Sequence, residues 1–290
     1  MKTIIKYSLF LIAITIGLSS CKPKPLDIEL EQAEVKLVIS SQIIPNSVML
    51  ISVSKSFGAL DYSEDYDTTD NSLSLIDKIM VKNAKVTVSY NGVVDELFPI
   101  PDIPGFYASV TTPQYINTEY TLNVYDPETG LSVSSKAKML ENVPFDNISA
   151  KRGTGSDSSN IHIKLSFTDK GSKANWYMLN FYTPSVDTIN SGSLFQGTPE
   201  NEATVLLSDI DFNGTQFTGE QTMFYWDSDT IVASISNISK EYYDYLDARR
   251  RGGKLFSTLF KEPINYPTNV KNGYGFFTTH YPDIQILEVQ

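Results

Sequence analysis

Alternation with a period of two runs through the chain after its first 34 residues. In AKVTVSYNG, residues 84–92, Val86, Val88 and Tyr90 alternate with Lys85, Thr87 and Ser89, the pattern of a strand with one buried face, and Asn91-Gly92 then supplies a tight turn. YTLNVYDPETGLSVSSKA repeats the arrangement, with Leu122 and Val124 before a turn at 126–130 and Leu131 and Val133 after it. Short runs rich in Val, Ile, Tyr, Phe and Thr also occupy 35–40, 47–54 and 119–125. Strands at this spacing predict an immunoglobulin-like antiparallel β-sandwich over 35–143, which ends near NVPFDNIS, where Pro144 interrupts the pattern.

A second antiparallel β-domain is expected over 144–290. It opens with KRGTGSDSSN, read as flexible, and then IHIKLSFTD directs Ile161, Ile163, Leu165 and Phe167 inward. NWYMLNFYT follows after a turn at 170–173, so the two runs read as a hairpin with His162 on its polar side. One segment breaks the β pattern. NISKEYYDYLDARRRGG, with Ser239 as N-cap, Glu241 in the first turn and Ile238, Tyr242, Tyr245, Leu246 and Arg249 on one face, predicts a short helix at about 239–251. Arg249, Arg250 and Arg251 suit the negative end of that helix better than they suit an anionic ligand.

The first twenty residues follow a different logic. Lys2 and Lys6 precede an apolar run from Leu9 to Leu18, too short for the roughly twenty residues that span a bilayer. Residues 1–20 therefore read as a secretory signal. The segment ends in Leu18-Ser19-Ser20-Cys21, which resembles the lipobox of bacterial lipoproteins, and Cys21 is the only cysteine of 290 residues. Acylation of Cys21 would hold the body by several chains, each contributing about 0.8 kcal/mol per buried methylene. Residues 21–34, polar and with two prolines, read as a tether.

The chain carries 23 basic and 34 acidic residues, a formal charge of −11, which becomes −13 when the two lysines of the signal are removed. Such a body repels phosphate backbones, so nucleic acid is not an expected partner. With no thiol beyond Cys21 and only His162 and His280, zinc and copper sites are poorly supplied. No G-x-S-x-G motif occurs, so no catalytic residue is named, and the expectation is a non-enzyme without a cofactor other than lipid. The 17 Tyr, 15 Phe and 2 Trp could include rings that stack on a ligand, but Trp176 and Trp226 sit in strand-like runs and the sequence names no binding residue.

Two acidic stretches invite a metal reading. Asp61, Glu64, Asp65, Asp67 and Asp70 crowd one loop, read as solvated because nothing fixes their geometry. DIDFNGTQFTGE, 209–220, fits the calcium-loop pattern with Asp209, Asp211, Asn213 and Glu220 as ligands. Strand-forming runs rather than helices flank it, and Asn213-Gly214 is a turn signal, so the reading favours a turn between strands over calcium.

The C-terminal residues YYDYLDARR and FKEPINYPTNVKNGYGFF, with Glu262-Pro263, Asn265, Asn269-Val270, Asn272-Gly273 and Gly275 to Phe277, resemble the ending of a Bacteroidota outer-membrane lipoprotein family known as domain of unknown function 4249. EYTLNVYD, FTDKGSKANWYMLNF and the D-x-x-FNG stretch fit the same family in the same order. NVKNGYGFF itself reads as a closing hairpin. The resemblance implies an outer-membrane lipoprotein that accompanies a TonB-dependent receptor by capturing a ligand or by covering or stabilising the transporter. A surface hydrolase of glycans or peptides and an envelope assembly component are the alternatives. Export to the cell surface is associated with acids soon after the lipidated Cys. Here Lys22-Pro23-Lys24-Pro25 intervenes before Asp27 and Glu29, so the surface is only slightly favoured over the periplasmic face.

Overall fold

The computed structural model describes residues 34–44, 48–56, 78–101, 103–183, 202–224, 229–252 and 266–290. The signal-like segment, Cys21, the tether to residue 33, the acidic loop, Trp226, Glu262-Pro263 and Asn265 lie outside the described residues.

The molecule is mainly β, with one α-helix among the described residues. The first strands are β1 (Leu37–Ile44), β2 (Val48–Lys55), β3 (Lys85–Tyr90), β4 (Val93–Pro99), β5 (Phe106–Ser109), β6 (Glu119–Tyr125) and β7 (Ser132–Lys138). They are followed by β8 (Asn147–Arg152), β9 (Asn160–Thr168), β10 (Trp176–Tyr182), β11 (Glu202–Ser208), β12 (Gln216–Phe224) and β13 (Thr230–Ile238). Helix α1 (Lys240–Gly252) then leads to β14 (Val270–Lys271), β15 (Tyr274–Phe276) and β16 (Asp283–Glu288).

Alternation becomes strand here because each run can bury only one face. Val86, Val88 and Tyr90 of β3 are buried against Leu122, Val124 and Val133 of β6 and β7, while their neighbours face outward. The β3–β4 and β6–β7 pairs are the hairpins the pattern predicts. Strand β4 then changes partner. Val93–Leu97 pair with β3, whereas Phe98 and Pro99 pair with β5, so one strand carries the sheet round from one layer of the first sandwich to the other.

The C-terminal stretch closes this sheet. Its strand order is β14-β7-β6-β3-β4-β5-β2-β1-β15, and β14 and β15, at its two ends, are joined by one short turn through Asn272, whose φ is +61°. NVKNGYGFF is therefore not a hairpin paired with itself. β14 lies antiparallel to β7 (Val270 opposite Ser135) and β15 lies parallel to β1 (Gly275 opposite Ile39). The Asn269 amide fixes the closure: its Nδ2 donates to the carbonyls of Phe277 (2.7 Å) and Lys136 (3.1 Å), and its Oδ1 accepts the Phe277 N–H (2.9 Å). The span 144–290, expected to form the second domain alone, thus returns to complete the first.

The second half is two facing sheets, β11-β10-β13-β16 and β12-β9-β8, over a core that includes Ile161, Ile163, Phe167, Tyr177, Phe181 and Ile235. β9 and β10 are not the predicted hairpin. β9 pairs with β8 and β12, and β10 pairs with β11 and β13, so the turn between them crosses from one sheet to the other. Phe167 of β9 and Tyr177 of β10 both point into the core between the two sheets and meet edge to face at 4.8 Å, a burial each strand gains by pairing within its own sheet. KRGTGSDSSN is also more ordered than expected: its first two residues end β8 and Gly155–Asp157 form a 3-10 turn.

Helix α1 starts one residue later than expected, with the Ser239 hydroxyl accepting the Tyr242 N–H (3.2 Å). Tyr242, Tyr243 and Leu246 pack on Met178, Leu206 and Ile238, and the rings of Tyr242 and Tyr245 rest 5.1 and 5.2 Å from that of Phe276. The helix thereby bridges the second half to the strand that closes the first. At its C-terminal end Arg250 and Arg251 pair with Asp247 (3.0 and 2.7 Å), and Arg249 lies over the Tyr245 ring.

Gly275 gives the sharpest test of the closure. Its φ is +89° and a Cβ there would lie 2.0 Å from the Ile39 carbonyl oxygen, whereas a Cβ at Gly130, φ +73°, would meet nothing within 4 Å. Gly130→Ala is expected to cost about 1 kcal/mol from backbone conformation alone, and Gly275→Ala about 3 kcal/mol or more. Denaturant unfolding that found the two losses equal would show that β15 does not run as tightly against β1.

Candidate functional site

Three places gather polar side chains, and each is built by a different local feature. The first joins the two turns at the end of the second half. Asp169, 2% exposed, ends β9; its Oδ1 accepts from Asn175 Nδ2 (2.9 Å) and from the Tyr177 hydroxyl, and its Oδ2 from the N–H groups of Gly214 (2.7 Å) and Gly171 (2.8 Å). A second buried carboxylate completes the knot: Asp209 Oδ2 accepts the Asn175 N–H (2.9 Å), while the Asp209 N–H donates to the Asn175 carbonyl (3.1 Å). The two turns touch directly, since a Cβ on Gly171 would lie 2.4 Å from Gly214 Cα.

Burial acts to raise the pKa of Asp169, but the hydrogen bonds from Tyr177, Gly214, Gly171 and Asn175 outweigh it and hold the carboxyl below the usual carboxylate range. Burial, and then the Asp169 carboxylate, push the Tyr177 hydroxyl far above its ordinary value. Asp169 is thus a structural group that is charged at neutral pH, with both oxygens taken up by donors.

This knot also settles where the calcium-loop residues go. Asp209 and Asp211 lie in a 3-10 turn, Asn213 and Gly214 continue it, and Glu220 is well into β12. Asp209 is occupied by backbone N–H and Glu220 lies 3.2 Å from His162 Nδ1, so the four do not converge on one point. Among the described residues no group of three or more His, Cys, Asp and Glu could hold a metal ion.

The second place is His162, in the middle of β9. Its Nε2 meets Asp157 of the 3-10 turn, and its Nδ1 lies 3.2 Å from Glu220 Oε1 and 3.3 Å from the Thr222 hydroxyl. The sequence concealed this, because Asp157 comes from a stretch read as flexible and Glu220 from a strand paired across the sheet. Asp157, and then Glu220, hold the His162 imidazole above its usual range despite partial desolvation. An acid, an imidazole and a hydroxyl in line suggest a proton relay, yet carboxylates on both nitrogens favour the doubly protonated ring, which has no lone pair with which to act as a base.

The third place is a cleft at the junction of the two halves, of about 200 Å³, bordered by β7, the end of β13, the start of α1 and residues 276–280. His280 lines it, 9% exposed and stacked on Tyr242 at 5.7 Å; burial alone pushes its imidazole down to about 4, so it is neutral at physiological pH. A smaller cavity of about 120 Å³ adjoins through a shared residue, Asn237.

These features define the class: a mainly β protein of two packed sandwich-like halves, closed by its own C-terminal stretch and bridged by one helix. A family model described as a domain of unknown function, DUF4249, matches residues 23–282, and the chain belongs to that family. Among the segments that carried the resemblance in sequence are those that form the Asp169 knot and the β14–β15 closure. No curated protein matches the chain. Among solved structures it is similar to a two-fibronectin type III domain segment from chicken tenascin, at 11% identity over 70% of this chain and 91% of that one, with a TM-score of 0.22. It is likewise similar to the FN1–FN3 domains of chicken CNTN1, at 9% identity over 69% and 59%, with a TM-score of 0.24.

Two measurements test these assignments. Because the Asp169 pKa is depressed in the fold, its contribution to stability is present above the unfolded value of roughly 3.9 and is lost as pH falls through the folded value. Asp169→Asn is expected to cost about 2–4 kcal/mol at neutral pH and to remove that acid limb from denaturant unfolding curves. An undiminished acid limb would show that other carboxylates produce it. His162 and His280 are the chain's only histidines, so NMR should resolve two titrations, His162 above roughly 6.5 and His280 at about 4. The stability His162 provides is full below its unfolded value and fades as pH rises through the raised one. Two coincident titrations near 6.5 would refute both environments.

Proposed function

We propose that the chain is a lipid-anchored protein of the bacterial outer membrane that works, without catalysis of its own, beside a TonB-dependent receptor as a ligand-capturing or transporter-associated component. The observation that carries the reading is Cys21: a single cysteine in 290 residues, placed directly after an apolar run too short to span a bilayer and before a polar tether. Family membership from residue 23 onward supports it, since the resemblance implies that company. The non-catalytic part rests on the two imidazoles, one biased toward its charged form by carboxylates on both nitrogens and one buried and neutral. No covalent lipid chemistry is asked of the folded body on this reading, and the surface is the favoured side.

Mass spectrometry of the protein from native membranes is expected to find the N-terminal peptide acylated at Cys21. Cys21→Ser should abolish that mass and shift the protein out of the outer-membrane fraction. Affinity purification of the wild-type chain should recover a TonB-dependent receptor in near-stoichiometric amount. Acylation without a receptor would leave the anchor and discard the partnership; an unacylated wild-type chain would sink the anchor itself.

A further inference from the structure

We infer that Asn91, at the tip of the β3–β4 hairpin, is a site of spontaneous covalent modification: while the chain stays folded, water converts it to aspartate and isoaspartate with loss of its side-chain amide. The sequence holds three Asn-Gly pairs, Asn91-Gly92, Asn213-Gly214 and Asn272-Gly273. In such a pair the glycine nitrogen can attack the preceding side-chain amide carbon, because glycine carries no side chain to block the approach or restrict the backbone. The bond from the glycine nitrogen to Cγ forms and the Cγ–Nδ2 bond breaks. Nδ2 leaves as ammonia, and the proton it takes up balances the one shed by the backbone nitrogen. Water then opens the cyclic imide at either carbonyl, so one water is consumed for each ammonia released and no other reactant is needed.

The fold sets the three pairs apart. Attack requires the glycine nitrogen to lose its proton and the peptide to turn until that nitrogen meets Cγ. At the hairpin tip both are open: Asn91 and Gly92 are exposed, the φ of Asn91 is +46°, and a Cβ built on Gly92 would meet nothing within 4 Å. Among the described residues none bonds to the Gly92 N–H or to the Asn91 amide. At Asn213 the nitrogen is engaged. The Gly214 N–H donates to Asp169 Oδ2 (2.7 Å), so loss of its proton would set an anionic nitrogen against a carboxylate, and a Cβ on Gly214 would lie 3.3 Å from Gly171 Cα. At Asn272 the peptide is walled in. Gly273 is buried, and a Cβ there would lie 2.6 Å from the Leu37 carbonyl oxygen and 2.7 Å from Val133 Cγ1, so turning this peptide means parting the β14–β15 closure. In the two enclosed turns reaction therefore waits for local opening, and its rate follows the population of the opened form.

The modification alters the hairpin in two ways. Each event adds a carboxylate to a chain of formal charge −11, and isoaspartate leads the backbone through the former side chain, which lengthens the turn by a methylene. The turn is set between Tyr90 and Val93, which lie opposite each other, and a turn this short depends on its positive φ values. Tyr90 also donates its hydroxyl to Asp95 (2.8 Å) and holds its ring 5.5 Å from that of Tyr120. Lengthening the turn loosens this last pair of the β3–β4 ladder, while Val86 and Val88 stay in the core. The inference concerns the folded body and is independent of the lipid anchor.

The test incubates the full-length chain in mild detergent at mildly alkaline pH, with a parallel sample in concentrated guanidinium chloride. Timed digests are scored by mass spectrometry for conversion of amide to acid and for isoaspartate in each Asn-Gly peptide. In the folded chain Asn91 should convert about tenfold or more faster than Asn213 and Asn272, and in denaturant the three rates should converge. In Asp169→Asn, conversion at Asn213 should rise while Asn272 stays slow, a pattern that global unfolding does not give because it would release both. The inference is overturned if Asn91 stays intact in the folded chain, if Asn213 or Asn272 converts as fast as Asn91 there, or if the same order persists in denaturant, which would make it a property of sequence. These outcomes come from the wild-type chain and do not depend on any variant folding.

Discussion

Asp169 is the group on which the architecture of the second half turns. A charge buried to this degree persists only when donors surround it, and here two backbone N–H groups, one amide and one phenol do so. Those donors come from the end of β9, the start of β10 and the turn after β11, so the carboxylate fixes the relative position of two sheets that share no backbone pairing with each other at that point. The edge-to-face contact of Phe167 and Tyr177 follows from it, because Tyr177 is held at both ends: its hydroxyl by Asp169 and its ring by the core.

The first half is secured by a different device with the same logic. Asn269 binds backbone on both sides of the β14–β15 turn, and Ser41 does so one strand away, donating to the Thr278 carbonyl (2.9 Å) and accepting its N–H (2.7 Å). In each half a polar side chain replaces the missing ladder of a neighbouring strand. Where the two halves meet, β13 runs on past its last pairing with β16 at Ile235.

The strands and helix were legible because their signals are local: period-two burial, turns at Asn91-Gly92 and at 126–130, a Ser N-cap. What escaped the sequence depends on partners far apart in the chain. β9 and β10 carry the alternation of a hairpin, and only the pairing of β9 with residues 216–224 and of β10 with 202–208 shows that they belong to different sheets. The closing stretch was placed in the wrong half for the same reason, since its glycines announce a close approach but not against which strand. The Asp209–Glu220 stretch matched a metal pattern by residue type, yet Asp209 answers a backbone amide and Glu220 an imidazole from β9, contacts set by fold and invisible to spacing. No site residue named in advance turned out to line the junction cleft except His280, and Asn237 had no signal at all: it is an ordinary asparagine until its strand loses a neighbour.

The chemistry available to the molecule narrows accordingly. Asp157 and Glu220 bias His162 toward its charged form, and His280 is neutral but enclosed beneath Tyr242, with Thr278 at 3.3 Å. Asp169 accepts four hydrogen bonds, and Asp209 accepts the Asn175 N–H. A catalyst needs groups whose protonation can change during turnover, and the strongly perturbed groups here are perturbed toward fixed states.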